Sequence, residues 1–260
     1  MLLNIHVFNA PTPTVEKMLD FQNILNNGTT ISSSGTSGSA KDYFQTPEKL
    51  AAACKVAVEV NQLTRHSKVY TCCKLTHAGG LLAQTLPAFT IGAEIDIDVF
   101  SAYDFVRKIN QYSHSHITPL HAKAIMLTKG YRQLNLQGIT IMCGADPVTW
   151  DVIEAFVSKG AKVIVNWGMS EIGPVAINST FNSMEDVIAE KSMAPSNSTL
   201  MGKDIFCDHK VVNGELQVKG DICIYNDWYA TKDTVLFENN RYYYTGRTNV
   251  SVDLNAPKKG

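Results

Sequence analysis

The segment from Thr29 to Lys41 reads TTISSSGTSGSAK and is the first place where residue types alone point to chemistry. Small residues let a backbone approach a ligand closely, and consecutive amide and hydroxyl donors suit phosphate oxygens. Lys41 adds a positive charge for the same anion. The spacing is not that of a Walker A loop, because GxxxxGK[ST] is not satisfied. A flexible Ser/Gly linker has the same composition, and composition does not separate the two. Gly168, Ser170 and Gly173 give G-x-S-x-x-G, one residue away from a hydrolase nucleophile elbow, and no supporting Asp and His can be placed for it. His114, His116 and His121 invite a metal reading, since strand alternation puts His114 and His116 on one face. No further ligand cluster is legible around them, so a structural role is expected.

The elements that must position these residues alternate between helices and short apolar strands. Thr46-Pro47-Glu48 supplies an N-cap, a first-turn proline and a first-turn acid for a helix continuing through Leu50 to Leu63. Lys68–Cys73 reads as a strand, followed by a helix from Gly80 towards Phe89. Ser101-x-x-Asp104 has the capping-box pattern, with Phe105, Ile109 and Tyr112 at helical spacing beyond it. Ile139–Cys143 and Lys162–Asn166 are β-rich runs flanking a helix over Pro147 to Lys159 that Gly160 stops. Strand–helix–strand units of this kind predict an α/β fold, a parallel-rich sheet with flanking helices. After about Pro195 the signals change to hairpins, at Asn213-Gly214 and at Asn239-Asn240, so a small β-rich C-terminal segment is expected. The expected division is a helical segment over 1–28, an α/β core over 29–195, a β-rich segment over 196–250 that completes the site, and a tail over 251–260.

The chain of 260 residues is 45% apolar and 18% charged, which fits a globular protein and argues against disorder. Its net charge of −1 leaves no electrostatic footprint for nucleic acid. Met1 to Ala10 lacks a secretory signal and no apolar run reaches membrane-spanning length, so no membrane partner is expected and the cytoplasm is the default compartment. The six cysteines form no CxxC pair, and most lie in apolar strand-like runs, so they are read as core thiols.

Several segments, in order, resemble the motifs of adenylate-forming enzymes, the superfamily of acyl-CoA synthetases. Ser33-Ser34-Gly35-Thr36-Ser37-Gly38-Ser39-Ala40-Lys41 is similar to that family's phosphate loop, [ST]-[SG]-G-[ST]-[ST]-G-x-P-K, with Ala40 at the proline. Amidase-signature hydrolases also carry a Gly/Ser run, but with a lysine well upstream; here only Lys17 precedes the loop, too close in sequence. Lys74 to Gly80 resembles the H-x-x-G stretch of o-succinylbenzoate–CoA ligases, which implies a place for His77 beside the acyl pocket. Gly144-Ala145-Asp146-Pro147 resembles the G-G-[EA]-P segment beside the adenine.

Asn166-Trp167-Gly168-Met169-Ser170-Glu171 is similar to Y-G-[MST]-[ST]-E. The resemblance implies that Trp167 stacks on adenine, Asn166 reads its edge, Ser170 lies near the α-phosphate and Glu171 holds Mg²⁺. Gly214 to Gly220 resembles G-E-[IL]-x-V-x-G, and Trp228 to Asp233 resembles W-[FY]-x-T-G-D, with Lys232 at the glycine. Asp233 is thereby implied as the ribose ligand, and Arg247, in a segment resembling G-R-x-D, as a ribose or phosphate contact. Asn249 stands at the family's hinge aspartate.

The activity implied is ATP-dependent activation of a carboxylic acid to an acyl-adenylate, with Mg²⁺ as cofactor and CoA as second substrate. The family's C-terminal lid, which carries a catalytic lysine, has no counterpart before Gly260. Impaired turnover or completion by a separate lid domain is expected on that account. The alternative is a non-catalytic module that binds a nucleotide or an acyl-adenylate.

Overall fold

Apolar runs without alternation need cover on both faces, and in α/β proteins helices supply it. The computed structural model, which describes residues 5–8, 16, 18–33 and 41–248, shows that arrangement. Strands β1 (Ile5–Val7), β4 (Lys68–Thr71), β5 (Glu94–Ile97), β6 (His114–Ile117), β7 (Thr140–Gly144), β8 (Lys162–Met169), β9 (Gly173–Phe181) and β11 (Asp204–Ile205) build one sheet. Their order is β1-β5-β4-β6-β7-β8-β9-β11. All neighbours from β1 to β8 are parallel, and β9 and β11 add antiparallel edge pairings. The stretch ahead of Thr29 is therefore not wholly helical, because β1 precedes the short helix α1 (Phe21–Asn27).

Each face of the sheet has its own core. On one side Val69 and Ile95 pack with Phe21, Leu50 and Leu82 from α1, from α2 (Pro47–Asn61) and from the turn-rich helix that follows β4. On the other, Tyr70, Ile117, Ile141, Val163 and Val165 meet Phe105 of α5 (Ala102–Lys108), Ala122 and Ile125 of α6 (Pro119–Met126) and Phe156 of α7 (Trp150–Val157). The helix after β4 is α3 (Ala78–Gly80), then a π-helical stretch over Leu81–Thr85, then α4 (Leu86–Thr90).

The predicted caps hold: Thr46 accepts from the Lys49 amide and Ser101 from the Asp104 amide. The helix expected from Pro147 begins at Trp150 instead, because Ala145 turns left-handed (φ 77°) and Thr149 is still extended. The sequence reading passed over β9 and the helix α8 (Met184–Met193), although Ser183 and Asp186 form a complete capping box for α8.

The β-rich end is a five-stranded antiparallel sheet, β10 (Thr199–Gly202), β15 (Arg241–Arg247), β14 (Tyr229–Glu238), β13 (Glu215–Lys219) and β12 (Asp208–Val212), in that order. Asn213 and Gly214 (φ 52° and 81°) and Asn239 and Asn240 (φ 52° and 60°) are left-handed at its two predicted turns, as two-residue hairpins require. Leu216, Val218, Val235 and Tyr242 close this sheet against Ile172 and Ile177 of the large one. The remaining hairpin, β2 (Thr29–Ser32) with β3 (Asp42–Gln45), brackets the Ser/Gly loop.

Candidate nucleotide site

Open parallel sheets bind ligands beyond the carboxyl ends of their strands, and the predicted residues gather there at β7 and β8. The β8–β9 connection is unusually tight. A side chain at Gly168 would place its Cβ 2.0 Å from the Gly173 carbonyl oxygen and 2.7 Å from the Pro174 backbone, so only glycine fits. Gly173 is itself left-handed (φ 87°), and the Ile172 amide donates to the Met169 carbonyl at 3.0 Å, which closes the turn. Ser170 and Glu171 thus sit at the tip of a rigid hairpin, and both are buried.

Two strands of the smaller sheet bring the acidic and basic partners. Asp233 on β14 is buried and accepts from Trp167 Nε1 at 2.9 Å, while Arg247 Nε on β15 lies 3.5 Å from its other oxygen. Burial pushes the Asp233 carboxyl above the usual range, and Arg247 and the Trp167 hydrogen bond oppose that rise. The Tyr229 hydroxyl donates to Glu171 Oε1 at 3.0 Å, and its ring stacks on Tyr225 with centroids 5.0 Å apart. Burial and the neighbouring Glu171 carboxylate raise the Tyr43 and Tyr229 phenols, so both remain hydrogen-bond donors.

Beneath the hairpin tip lies a cation that sequence reading missed. Lys49, on the first turn of α2, is buried, and its Nζ donates to the Ser170 carbonyl at 3.1 Å and to Gln45 Oε1. Gln45 Nε2 donates to the same carbonyl at 3.2 Å. Burial pushes the Lys49 ammonium down to about 7, against the pull of Cys223 and Glu171. The legible signal was Lys49's position in the buried stripe Lys49, Leu50, Ala53, Cys54, Ala57 and Asn61, where a lysine is out of place.

The other predicted residues are placed as follows. Ser33 and Lys41 meet at the mouth of the β2–β3 hairpin through a backbone bond of 2.8 Å and a Lys41 amide bond to Ser33 Oγ of 3.0 Å. Ser34, Gly35, Thr36, Ser37 and Gly38 lie outside the described residues. His77 hydrogen-bonds through Nδ1 with the Ser32 carbonyl at 2.8 Å, tying the turn after β4 to the loop's base. Gly144 ends β7 against Asn166: a Cβ there would come within 2.4 Å of Asn166 Oδ1. Asn166 gives its amide N–H to Pro174 at 2.6 Å, and its buried Oδ1 has no partner among the described residues. Ala145 and Asp146 form the exposed turn beyond, and Met169 is half-buried in the β8–β9 connection.

The buried carboxylates of Glu171 and Asp233 offer the hard oxygen ligands that Mg²⁺ prefers. The histidine expectations divide. His114 is satisfied structurally, by Ser113 Oγ at 2.8 Å and the Asn61 carbonyl at 3.0 Å. His116 is buried against Gly79 with neither ring nitrogen partnered among the described residues. The absence of any further ligand cluster does not hold, because Cys72, Cys73 and His121 converge. Their distance along the chain hid that contact. Cys73 and Cys207 are only half-buried, so the cysteines are not uniformly core.

Comparison with known proteins bears on the fold that carries this site. Solved structures of similar fold include the O-succinylbenzoate coenzyme A synthetase from Bacillus subtilis in complex with ATP and magnesium ion. It matches with TM-score 0.66 and 21% identity, over 83% of this chain and 49% of that one. Wild-type E. coli MenE with a bound OSB-AMS analogue matches with TM-score 0.66 and 14% identity, over 84% and 47% of the two chains. The adenylation domain of a keto acid-selecting NRPS module bound to keto acyl adenylate matches with TM-score 0.68 and 20% identity, over 84% and 51%. The chain thus spans about half the length of these proteins. No curated protein matches the sequence. The family described as AMP-binding enzyme matches residues 29–231, most of the chain, and the chain belongs to that family.

Proposed function

We propose that the site binds ATP with Mg²⁺ and a small-molecule carboxylate, and that it forms an acyl-adenylate. The observation that supports this most is the meeting of Glu171, Asp233, Arg247 and Trp167 beyond β8, from two separate sheets, beside the base of the Ser/Gly loop. In this reading a carboxylate oxygen attacks the α-phosphorus, a new P–O bond forms, and pyrophosphate leaves with the electron pair of the bond that breaks. Asp233 accepts from the ribose hydroxyls, and Arg247 balances charge beside them. Trp167, its ring fixed by the bond to Asp233, offers its face to adenine, and Asn166 Oδ1, without a partner among the described residues, is an acceptor for the adenine edge.

Ser33 and Lys41 anchor the loop that receives the phosphates, and Ser170 lies near the α-phosphate. Glu171 holds Mg²⁺, which neutralises phosphoryl charge when bound. Preorganised donors aimed at developing charge are the main source of rate acceleration in such a site. His77, fixed to Ser32, borders the acyl end.

The overall reaction is AMP-forming acid–thiol ligation with CoA as the thiol. The similar structures are about twice as long as this chain, and we assign the thioester half to groups outside the described residues. Binding of Mg·ATP by calorimetry, lost in Asp233→Ala, and carboxylate-dependent pyrophosphate exchange test the two levels of the reading. Binding without exchange for any carboxylate would leave a nucleotide-binding module, and no binding at millimolar ATP would remove the assignment.

A further inference from the structure

Cys72 and Cys73 follow directly on β4, where the chain leaves the sheet at its carboxyl edge. The next strand on that side, β6, runs into Thr118 and α6, and His121 stands in the first turn of that helix. The topology therefore brings two thiols and an imidazole together across a separation of nearly fifty residues. One ligand atom from each lies within 4.8 Å of the other two. Cys73 Sγ is 3.7 Å from His121 Nδ1. Sulfur and nitrogen on a tetrahedral zinc, with bonds of roughly 2.3 and 2.0 Å, are about 3.5 Å apart.

The thiols converge, since both Sγ atoms are within reach of the His116 carbonyl, at 3.8 and 3.3 Å. The imidazole is oriented before any ion arrives. Its ring lies parallel to Phe100, with centroids 3.8 Å apart and an interplanar angle of 11°, and the His121 backbone N–H donates to Thr118 Oγ1. Adjacent residues have Cα atoms about 3.8 Å apart, below the roughly 4.4 Å minimum usual for a disulfide, so the pair is held as thiols. Cys72 is buried while Cys73 and His121 are half-buried, which leaves an approach for an ion from one side.

We propose that Cys72, Cys73 and His121 form a binding site for a thiophilic divalent ion, Zn²⁺ by ligand type, with water in the fourth position. Two thiolates and one imidazole are a donor set zinc accepts, and the two negative charges match the ion's own. Binding releases the two thiol protons to solvent. The site shares no residue with the Glu171–Asp233 cluster, so each can be tested without the other.

The test is titration of the reduced chain with Co²⁺ and then Zn²⁺. The expected result is a visible four-coordinate cobalt spectrum that saturates at one ion per chain and is displaced by Zn²⁺. Cys73→Ser and His121→Ala should each weaken zinc binding by at least about tenfold, while Cys207→Ser, in the other half-buried thiol, leaves it unchanged. Alkylation mapped by mass spectrometry provides a readout that needs no variant: zinc should protect the half-buried Cys73 and leave Cys207 reactive. An absent cobalt spectrum, a spectrum equally strong in both variants, or no protection of Cys73 overturns the proposal.

Discussion

Replacing Lys49 with methionine tests the electrostatics beneath the site in a way that yields a number. The wild-type ammonium is pushed down from an ordinary 10.5 to about 7 by burial, with Cys223 and Glu171 acting against that shift. Between those two values the unfolded chain holds a proton that the folded chain has released. Stability must therefore rise with pH across that window. At about 1.4 kcal/mol per pH unit of separation, full protonation costs the fold roughly 5 kcal/mol. Integrated from pH 7 to pH 9 alone, the linkage relation gives a gain of about 2 kcal/mol.

Lys49→Met removes this slope and nearly preserves side-chain volume. It also removes the hydrogen bonds to Gln45 and Ser170, although Gln45 still serves the Ser170 carbonyl at 3.2 Å. The assay is urea unfolding followed by tryptophan fluorescence at pH 6, 7, 8 and 9 for both proteins. Tyr43, Tyr229 and the other titrating groups are common to both, so the difference between the curves isolates Lys49. The variant should be the more stable at pH 6, and its advantage should shrink by about 2 kcal/mol between pH 7 and pH 9. A difference that stays constant with pH refutes the buried-cation reading.

Further expectations concern the hairpin tip and its partners. Tyr229→Phe removes the 3.0 Å hydrogen bond to Glu171 and should weaken Mg·ATP binding by about 1–2 kcal/mol in calorimetry, with the fold intact by circular dichroism. Asp233→Ala should abolish measurable nucleotide binding, and an unchanged isotherm would detach Asp233 from the site. Gly168→Ala forces a Cβ to within 2.0 Å of the Gly173 oxygen and should destabilise the protein by more than about 3 kcal/mol, read as a lowered urea midpoint or insoluble expression. Lys232 is left-handed (φ 66°), so Lys232→Gly should raise the melting temperature, by the equivalent of about 0.5–1 kcal/mol.

The sequence by itself determined most of what depends on near neighbours in the chain. The Thr46 and Ser101 caps, the two-residue turns at Asn213-Gly214 and Asn239-Asn240, and the apolar runs of β7 and β8 are local signals, and each forms where it was legible. The resemblance carried by successive motifs implied one site for Ser170, Glu171, Asp233 and Arg247, which is the reading that the nucleotide-binding proposal rests on. Composition could say nothing of who touches whom. Lys49 carried a weak trace, a charge in a buried stripe, but its partner Ser170 is far along the chain and only the packing of α2 under the β8–β9 hairpin joins them.

Tyr229's bond to Glu171 likewise depends on how the small sheet closes on the large one. The strand β9 escaped notice because Gly173–Phe181 is buried on both faces and carries little alternation. Cys72, Cys73 and His121 show the same limit. Three residues of metal-binding type had no ligand spacing in the chain, and the parallel pairing of β4 with β6 brings them within reach. Local sequence fixes turns, caps and strand character because those energies act over a few residues. The partners of a buried charge or thiol are chosen by long-range packing, which only the tertiary structure decides.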